Sequence, residues 1–212
     1  MRIGRAAYII AFVSLMLSPP AATAGIPADQ LRQTTEKVLL ILQDPRLKSP
    51  DKKSERREQL RQVIAARFDF SEMAKRSLGP NWPRFSTEEQ RQFTQLFTNL
   101  LERSYTDQIE SFNGEKFVYG RENQNHDQAS VETKIVTTKG ESLSVNYKLY
   151  SSKQEWRVYD VVIEDISLVN NYRSQFNRML TNSSSEQFLR KLREKQTDAR
   201  NNYEGSAAGS KS

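Results

Sequence analysis

Apolar residues in the first part of the chain recur at three- and four-residue steps, the spacing that places side chains on one face of an α-helix. Three helices are predicted on this basis: residues 28–43, residues 54–67 and residues 70–78. Asp44-Pro45 ends the first helix, because a proline disfavours the helical conformation in the residue before it. Gly79-Pro80 ends the third helix. Ser54 is the predicted N-cap of the second helix, after a polar loop from Lys48 to Lys53.

The clearest helical pattern lies between Thr87 and Phe112. Ser86 and Glu89 are spaced as a capping box, in which each side chain accepts a hydrogen bond from the backbone N–H of the other residue. The apolar positions that follow form one broad face: Phe93, Leu96, Phe97, Leu100, Leu101, Tyr105, Ile109 and Phe112. Asn113-Gly114 is the predicted end of this helix.

After Gly114 the apolar residues alternate with polar ones, which indicates β-strands. Four strands are predicted: residues 116–122, 129–138, 143–149 and 156–163. In the third strand Val145 and Tyr147 alternate with polar neighbours, so this strand has one apolar face. Only short turns separate successive strands, and such connections are typical of an antiparallel meander.

Two further helices follow the strands. Ser167 is the predicted N-cap of the first, and the residues from Ser183 to Glu186 form a predicted capping box at the start of the second. The tail from residue 201 to residue 212 lacks apolar residues able to dock and is predicted to be disordered. The elements together predict an α+β domain: a four-stranded antiparallel meander sheet covered by helices, with the helix at 87–112 as the main cover.

The N-terminal residues have the features of a secretory signal. Arginines precede an apolar run from Ala6 to Leu17, which is shorter than the roughly 20 residues that a membrane-crossing helix needs. Ala22-Thr23-Ala24 is a predicted cleavage site, so residues 1–24 are expected to be a signal peptide and residues 25–200 the folded domain. The alternative is an uncleaved membrane anchor, which Pro19-Pro20 disfavours because it cuts the apolar run short.

The cysteine and histidine content limits the kinds of catalytic and metal-binding site that the chain can form. The chain has no cysteine and one histidine, His126, which lies in a turn rich in Asn and Gln. Disulfides, thiolate metal sites and cysteine nucleophiles are therefore excluded, and the sequence contains no histidine cluster, P-loop or EF-hand. We expect no catalytic residue, no metal site and no cofactor, and hence a binding protein instead of an enzyme.

The formal net charge is +6. An exported protein rarely meets nucleic acid, so no nucleic-acid partner is expected, and the positive charge instead favours approach to anionic lipid surfaces. No stretch after the signal is apolar enough for a membrane-spanning helix, and a soluble protein is expected after cleavage.

Three stretches of the sequence resemble one known family. They are Arg67-Phe68-Asp69-Phe70-Ser71-Glu72-Met73-Ala74 with Leu78-Gly79 and Trp82; Thr87-Glu88-Glu89-Gln90 with Phe93, Leu96, Phe97, Leu100-Leu101 and Tyr105; and Trp156 to Glu164 followed by Ser167 to Phe176. The family is the periplasmic phospholipid-binding component of the Mla lipid-transport ABC system, also described as the toluene-tolerance auxiliary component. The resemblance extends over about Ala28 to Lys195, and its third stretch is the most specific part.

This resemblance implies that the sheet and the helical layer part to enclose an apolar pocket for the acyl chains of a phospholipid. It further implies a periplasmic carrier, expected to be a monomer, that shuttles lipid between two membrane complexes and so maintains outer-membrane lipid asymmetry. One is an outer-membrane lipoprotein complex, and the other is an inner-membrane ABC transporter complex with an MCE-domain substrate-binding subunit.

Other functions stay open at this point. A related member of the family is associated with hopanoid pathways, so the cargo could be another hydrophobic ligand, either a hopanoid or an organic solvent molecule. A hydrolase on the same scaffold is a further alternative, and it would have to use His126.

The resemblance also assigns lipid-binding residues by position: Tyr105, Val145, Tyr147, Val158, Val162 and Ile163. Helical periodicity adds four more: Phe97, Leu101, Tyr172 and Phe176. Periodicity identifies the buried face of an element but does not distinguish a filled core from a pocket wall, so both roles stay open at each position. Asp160 and Arg173 are charged residues in the matching motifs. Because a buried charge needs a partner, we expect a structural ion pair there and not a docking role.

Overall fold

The computed structural model describes residues 27–153 and 155–209, with side-chain environments as far as residue 197. The signal peptide predicted at residues 1–24 lies outside the described residues. The predicted disordered tail, residues 201–212, overlaps the end of the last helix, where side chains are not described, and it stays a prediction.

The chain alternates between a helical part, a sheet and a second helical part. The helices are α1 (Pro27–Gln43), α2 (Lys53–Arg67), α3 (Phe70–Leu78), α4 (Thr87–Glu110), α5 (Leu168–Leu180) and α6 (Ser185–Gly209). The strands are β1 (Lys116–Asn125), β2 (Gln128–Val136), β3 (Ser142–Ser152), β4 (Glu155–Ile163) and β5 (Ile166–Ser167). Short 3-10 turns lie at Pro45–Leu47, Pro50–Lys52 and Gly79–Arg84. The predicted α+β class is confirmed. The sheet has one additional strand, the two-residue β5, and β1 and β3 each extend three residues beyond their predicted ends.

Helix starts follow local hydrogen bonding. The capping box predicted at the start of α4 is confirmed. The box at the start of α6 is formed by Ser184 and Gln187, one position after the predicted pair, with N–H to side-chain oxygen distances of 3.2 and 3.1 Å. Helix α2 begins at Lys53 directly after a 3-10 turn, so Ser54 lies inside the helix and is not its N-cap.

The sheet is an antiparallel meander in the order β1-β2-β3-β4-β5. Its register places Val145 opposite Ile163, so apolar positions of neighbouring strands share one face, here called the inner face. The edge at β4 is covered at two places. Strand β5 pairs with the end of β4, and Phe68 forms a parallel bridge with Val158 nearer its start.

Helices α3, α4, α5 and α6 pack around an aromatic core, here called the helical core. The ring centroids of Phe93 lie 5.4 Å from Phe176 and 5.8 Å from Phe97, and Phe93 and Phe97 have no exposed surface. Phe93 meets Phe176 edge-to-face, one of the arrangements that aromatic rings prefer. This core fixes the first half of α4 against its helical neighbours.

The sheet has a second core of its own, here called the sheet core. It joins Leu31 of α1 to Val131, Val145, Trp156 and Val158 on the inner face. Helix α1 therefore packs directly on the sheet, whereas α4 was expected to be the main cover. The second half of α4 faces the sheet across an open space, because its first half is held in the helical core.

Asp160 has a structural role, as expected. Its side chain is 4 % exposed and accepts hydrogen bonds from the Ser167 hydroxyl at 2.7 Å and the Val169 N–H at 3.1 Å. The Lys148 ammonium lies 3.6 Å from the carboxylate. These contacts join β3 and β4 to the start of α5. Arg173 is not its partner: the Arg173 Nε donates to the backbone oxygen of Arg76 at 2.9 Å.

The substitution Asp160→Asn should lower the free energy of unfolding by about 2 kcal/mol, because hydrogen bonds to a buried charged acceptor are each worth roughly 1.5–3 kcal/mol. Urea denaturation followed by circular dichroism measures this change. Asp29→Asn is the matched control, since Asp29 is exposed in the first turn of α1, and it should lower stability by less than about 1 kcal/mol, the size of a helix-dipole effect. Equal stabilities for the two variants would contradict the structural role of Asp160.

Candidate functional site

A cavity of about 1360 Å³ separates the sheet from part of the helical layer. Its walls are α1, α2, the second half of α4 and the inner face of the sheet. The apolar lining comprises Leu31, Val38, Leu39 and Leu42 of α1; Leu60 and Ile64 of α2; Phe68 between α2 and α3; Phe70 and Met73 of α3; Leu101, Tyr105 and Ile109 of α4; Phe112 just after α4; Phe117, Ile135, Leu143, Val145, Tyr147, Val161 and Ile163 from the sheet; and Leu168 of α5.

Each wall follows from the periodicity of its element. On α4, Leu101, Tyr105 and Ile109 lie four residues apart and therefore share one side of the helix. On β3, Val145 and Tyr147 are two residues apart and point to the same face. The same regular spacing that builds a solid core in the first half of α4 builds a cavity wall in the second half.

The structure brings part of the predicted set of lipid-binding residues together at the cavity. Leu101, Tyr105, Val145, Tyr147 and Ile163 all lie in its wall. Helix α4 and strands β3 and β4 therefore contribute to one surface, although these residues are far apart in the sequence. Their binding of lipid stays a prediction.

The other predicted positions lie away from the wall. Phe97, Tyr172 and Phe176 are buried in the helical core, and Val158 is buried in the sheet core. Val162 lies between two wall residues of β4 and so points to the opposite face of the sheet. All are apolar positions on regular elements, and their sequence pattern is the same as that of the wall residues.

Sequence reasoning missed the α1 and α2 side of the cavity. Val38 and Leu42 of α1 and Leu60 and Ile64 of α2 are wall residues, but the sequence indicated only ordinary amphipathic helices. The available signal was the apolar face itself, which shows that a helix packs against something without showing that an open space lies there.

Charged residues of the wall lie mainly on α2 and α4. Arg57 donates to the Asp107 carboxylate at 2.6 Å, and Arg61 lies 3.9 Å from Glu102. Burial raises the pKa of Glu102, and the positive charge of Arg61 only partly opposes this effect. The cavity is thus apolar on the sheet side and charged along the line where α2 meets α4.

Tyr147 brings a hydroxyl into the apolar part of the wall. Its ring lies edge-on to Phe68, with 6.4 Å between centroids. Burial raises the pKa of this phenol far above its ordinary value, and the nearby Tyr119 phenol adds to the shift. Tyr147 is therefore neutral at any physiological pH and adds no charge to the cavity.

Among the described residues, no group of His, Asp or Glu side chains is arranged to hold a metal ion. His126 is exposed in the turn between β1 and β2 and has a positive φ of 52°. It is not among the residues that line the cavity. No helix in the described part of the chain has the length and apolar character needed to cross a bilayer.

The fold has a counterpart among solved structures. The phospholipid-binding protein from Ralstonia solanacearum, solved in complex with a phospholipid, superposes with a TM-score of 0.73. The two chains share 22 % sequence identity, and the match covers 82 % of this chain and 98 % of that one. No curated protein sequence matches this chain.

A family model gives the assignment. The model described as MlaC protein matches residues 32–194, a range that begins in α1, ends in α6 and includes every lining residue of the cavity except Leu31. This chain belongs to the MlaC protein family.

Proposed function

We propose that this protein is a phospholipid carrier, whose cavity encloses the acyl chains while the head group stays at the charged line between α2 and α4. The observation that carries the proposal is the cavity of about 1360 Å³ with its largely apolar wall. Membership of the MlaC family and the similar fold of a protein solved with a phospholipid support it.

Enclosure matches the energetics of such a cargo. Each buried methylene contributes about 0.8 kcal/mol, so two chains of about 16 carbons favour an apolar site over water by roughly 25 kcal/mol. If a methylene fills about the volume of a water molecule in the liquid, about 30 Å³, two such chains need roughly 1000 Å³. The cavity is large enough for both, and a shallow surface groove would leave much of the chains in water.

The wider role follows the family resemblance. The protein collects or delivers lipid at an outer-membrane lipoprotein complex and at an inner-membrane ABC transporter complex with an MCE-domain subunit, and so maintains the lipid asymmetry of the outer membrane. It works in the periplasm as a monomer after removal of residues 1–24. The N-terminal arginines, the apolar run and the small residues before Gly25 support export.

Identification of the co-purified molecule tests the cargo. Native mass spectrometry of the protein, followed by lipid extraction, should reveal a diacyl phospholipid. If a terpenoid or a solvent molecule co-purifies instead, the cargo is that alternative hydrophobic ligand and not a phospholipid. If the protein is a hydrolase, it should release fatty acid from bound lipid, and the variant His126→Ala should not.

The substitution Val145→Asp should abolish phospholipid co-purification and leave the fold intact, because it places a carboxylate in the cavity wall against the acyl chains. Lipid extraction measures occupancy, and circular dichroism measures folding. The matched control is Val118→Asp on β1, since Val118 is 50 % exposed and should keep its lipid. Val145 also packs in the sheet core, so if Val145→Asp unfolds the protein, that packing is its main role and its assignment to lipid is wrong.

Two truncations on α4 should separate wall from core. Phe97→Ala should lower the free energy of unfolding by about 3–5 kcal/mol, because it opens a hole in a packed core. Tyr105→Ala faces an existing cavity and should be less destabilising, while it weakens lipid retention. Denaturation curves and lipid occupancy are measured for both variants. The interpretation fails if Tyr105→Ala proves as destabilising as Phe97→Ala and keeps full occupancy.

A further inference from the structure

The two N-terminal helices form one wall of the cavity, and this wall is attached differently from the others. Helices α1 and α2 with the connection between them, residues 27–67, are here called the hairpin. Val38 and Leu42 of α1 and Leu60 of α2 face the cavity. The sheet wall is held by its backbone hydrogen-bond ladder, and α4 is held by the helical core. The hairpin has neither form of support over most of its length.

The base of the hairpin is fixed to the sheet, since the start of α1 and the end of α2 lie together there. The Arg67 guanidinium donates to the Gln30 side-chain oxygen at 2.7 Å, and the same oxygen accepts from the Trp156 N–H at 2.9 Å. Directly after α2, the Asp69 N–H donates to the Val158 backbone oxygen at 2.8 Å. These bonds tie both helices to the start of β4.

The tip of the hairpin is held to α4 by charge. Glu110, at the end of α4, accepts from the Arg56 Nη2 at 2.9 Å and from the Arg57 Nη2 at 2.6 Å, and its side chain is only 8 % exposed. Arg57 also donates to Asp107 at 2.6 Å. Arg56 donates to the Leu47 backbone oxygen at 3.0 Å, so the connection between the two helices is held by the same cluster. This cluster is here called the clasp.

The electrostatics of Glu110 agree with a closed clasp. Burial by itself would raise the pKa of this carboxyl, but hydrogen bonds and charge from Arg57 and Arg56 outweigh it and lower the pKa. Glu110 is therefore ionised at neutral pH and remains paired with both guanidinium groups. Charge-assisted hydrogen bonds of this kind are strong but reversible, because each partner can return to water.

A carrier that encloses its cargo must open for loading and release. The hairpin combines a fixed base with a tip held by polar side chains, so it is the wall that opens with the smallest loss of apolar packing. We propose that the hairpin is the moving wall of the cavity and that Glu110, gripped by Arg56 and Arg57, keeps it closed over the cargo. This inference rests on the proposed function, because it assigns the gate of the same cavity.

The substitution Glu110→Gln tests the clasp, since it removes the charge and nearly keeps the shape of the side chain. Protein loaded with a fluorescent phosphatidylcholine is mixed with phosphatidylcholine vesicles, and the rate of lipid transfer is measured. The loss of charge-assisted bonds should increase this rate about tenfold. Glu88→Gln is the matched control: Glu88 pairs with Arg91 in the first turn of α4, and both side chains are exposed. It should transfer lipid at the wild-type rate.

Covalent closure is the complementary test, and the absence of native cysteines makes it specific. The double variant Arg57→Cys/Asp107→Cys is treated with a bismaleimide that links α2 to α4. Lipid transfer should stop in the linked protein and continue in each single-cysteine variant after the same treatment. A linked protein that transfers lipid at the unlinked rate overturns the proposal, as does a folded Glu110→Gln variant with an unchanged rate. If Glu110→Gln does not fold, the linked variant decides.

A readout without lipid separates this inference from the proposed function. Amide hydrogen exchange of α2, followed by mass spectrometry, should be faster in Glu110→Gln than in the wild type and unchanged in Glu88→Gln. Faster exchange in α2, with no phospholipid bound by any variant, supports the mobile hairpin and rejects the phospholipid cargo. Unchanged exchange in α2 overturns the clasp whatever the protein carries.

Discussion

The fold depends on two separate hydrophobic cores, with the partly buried Phe68 packed against both. The helical core is closed by aromatic contacts around Phe93 and Phe97, and the sheet core is closed by Leu31 against Val131 and Trp156. Each core holds its own elements together. The fold therefore does not require side chains that fill the space between the two cores. A protein interior is normally packed without gaps, and a cavity of about 1360 Å³ persists here because α4 and the sheet, two of its walls, are each held by a core of their own.

Helix α4 shows how one element serves both purposes. Its first half contributes Phe93 and Phe97 to the helical core, and its second half presents Leu101 and Tyr105 to the cavity. The capping box at Ser86 fixes where the helix starts, and the core fixes its direction. The second half is therefore held at a distance from the sheet, and the chain meets the sheet again just after the helix, where Phe112 stacks on Phe117 of β1 with 6.3 Å between the ring centroids. The charged side chains near its end, above all Glu110, meet the arginines of α2 and complete the enclosure.

The division of polarity around the cavity follows from the same arrangement. The sheet offers an apolar inner face because its strands alternate, and helices α2 and α4 meet through paired charges. A cargo with a long apolar part and a polar end fits this division, whereas a catalytic centre would need convergent reactive groups inside the cavity. His126 lies in an exposed turn and is not among the residues that line the cavity.

The sequence alone determined the elements and the class of the fold, because periodicity, caps and turns are local properties. It placed the helices, the meander and the apolar faces. The errors were one or two residues at the helix starts near Ser54 and Ser184, three residues at the ends of β1 and β3, and the short strand β5. It did not determine which apolar faces enclose a cavity. Phe97 and Tyr105 belong to the same apolar periodicity of α4, yet Phe97 is buried in the helical core and Tyr105 lies in the cavity wall. Only the tertiary structure decided this, because a cavity depends on how far apart two layers are held, and that distance is set by contacts between residues remote in the sequence.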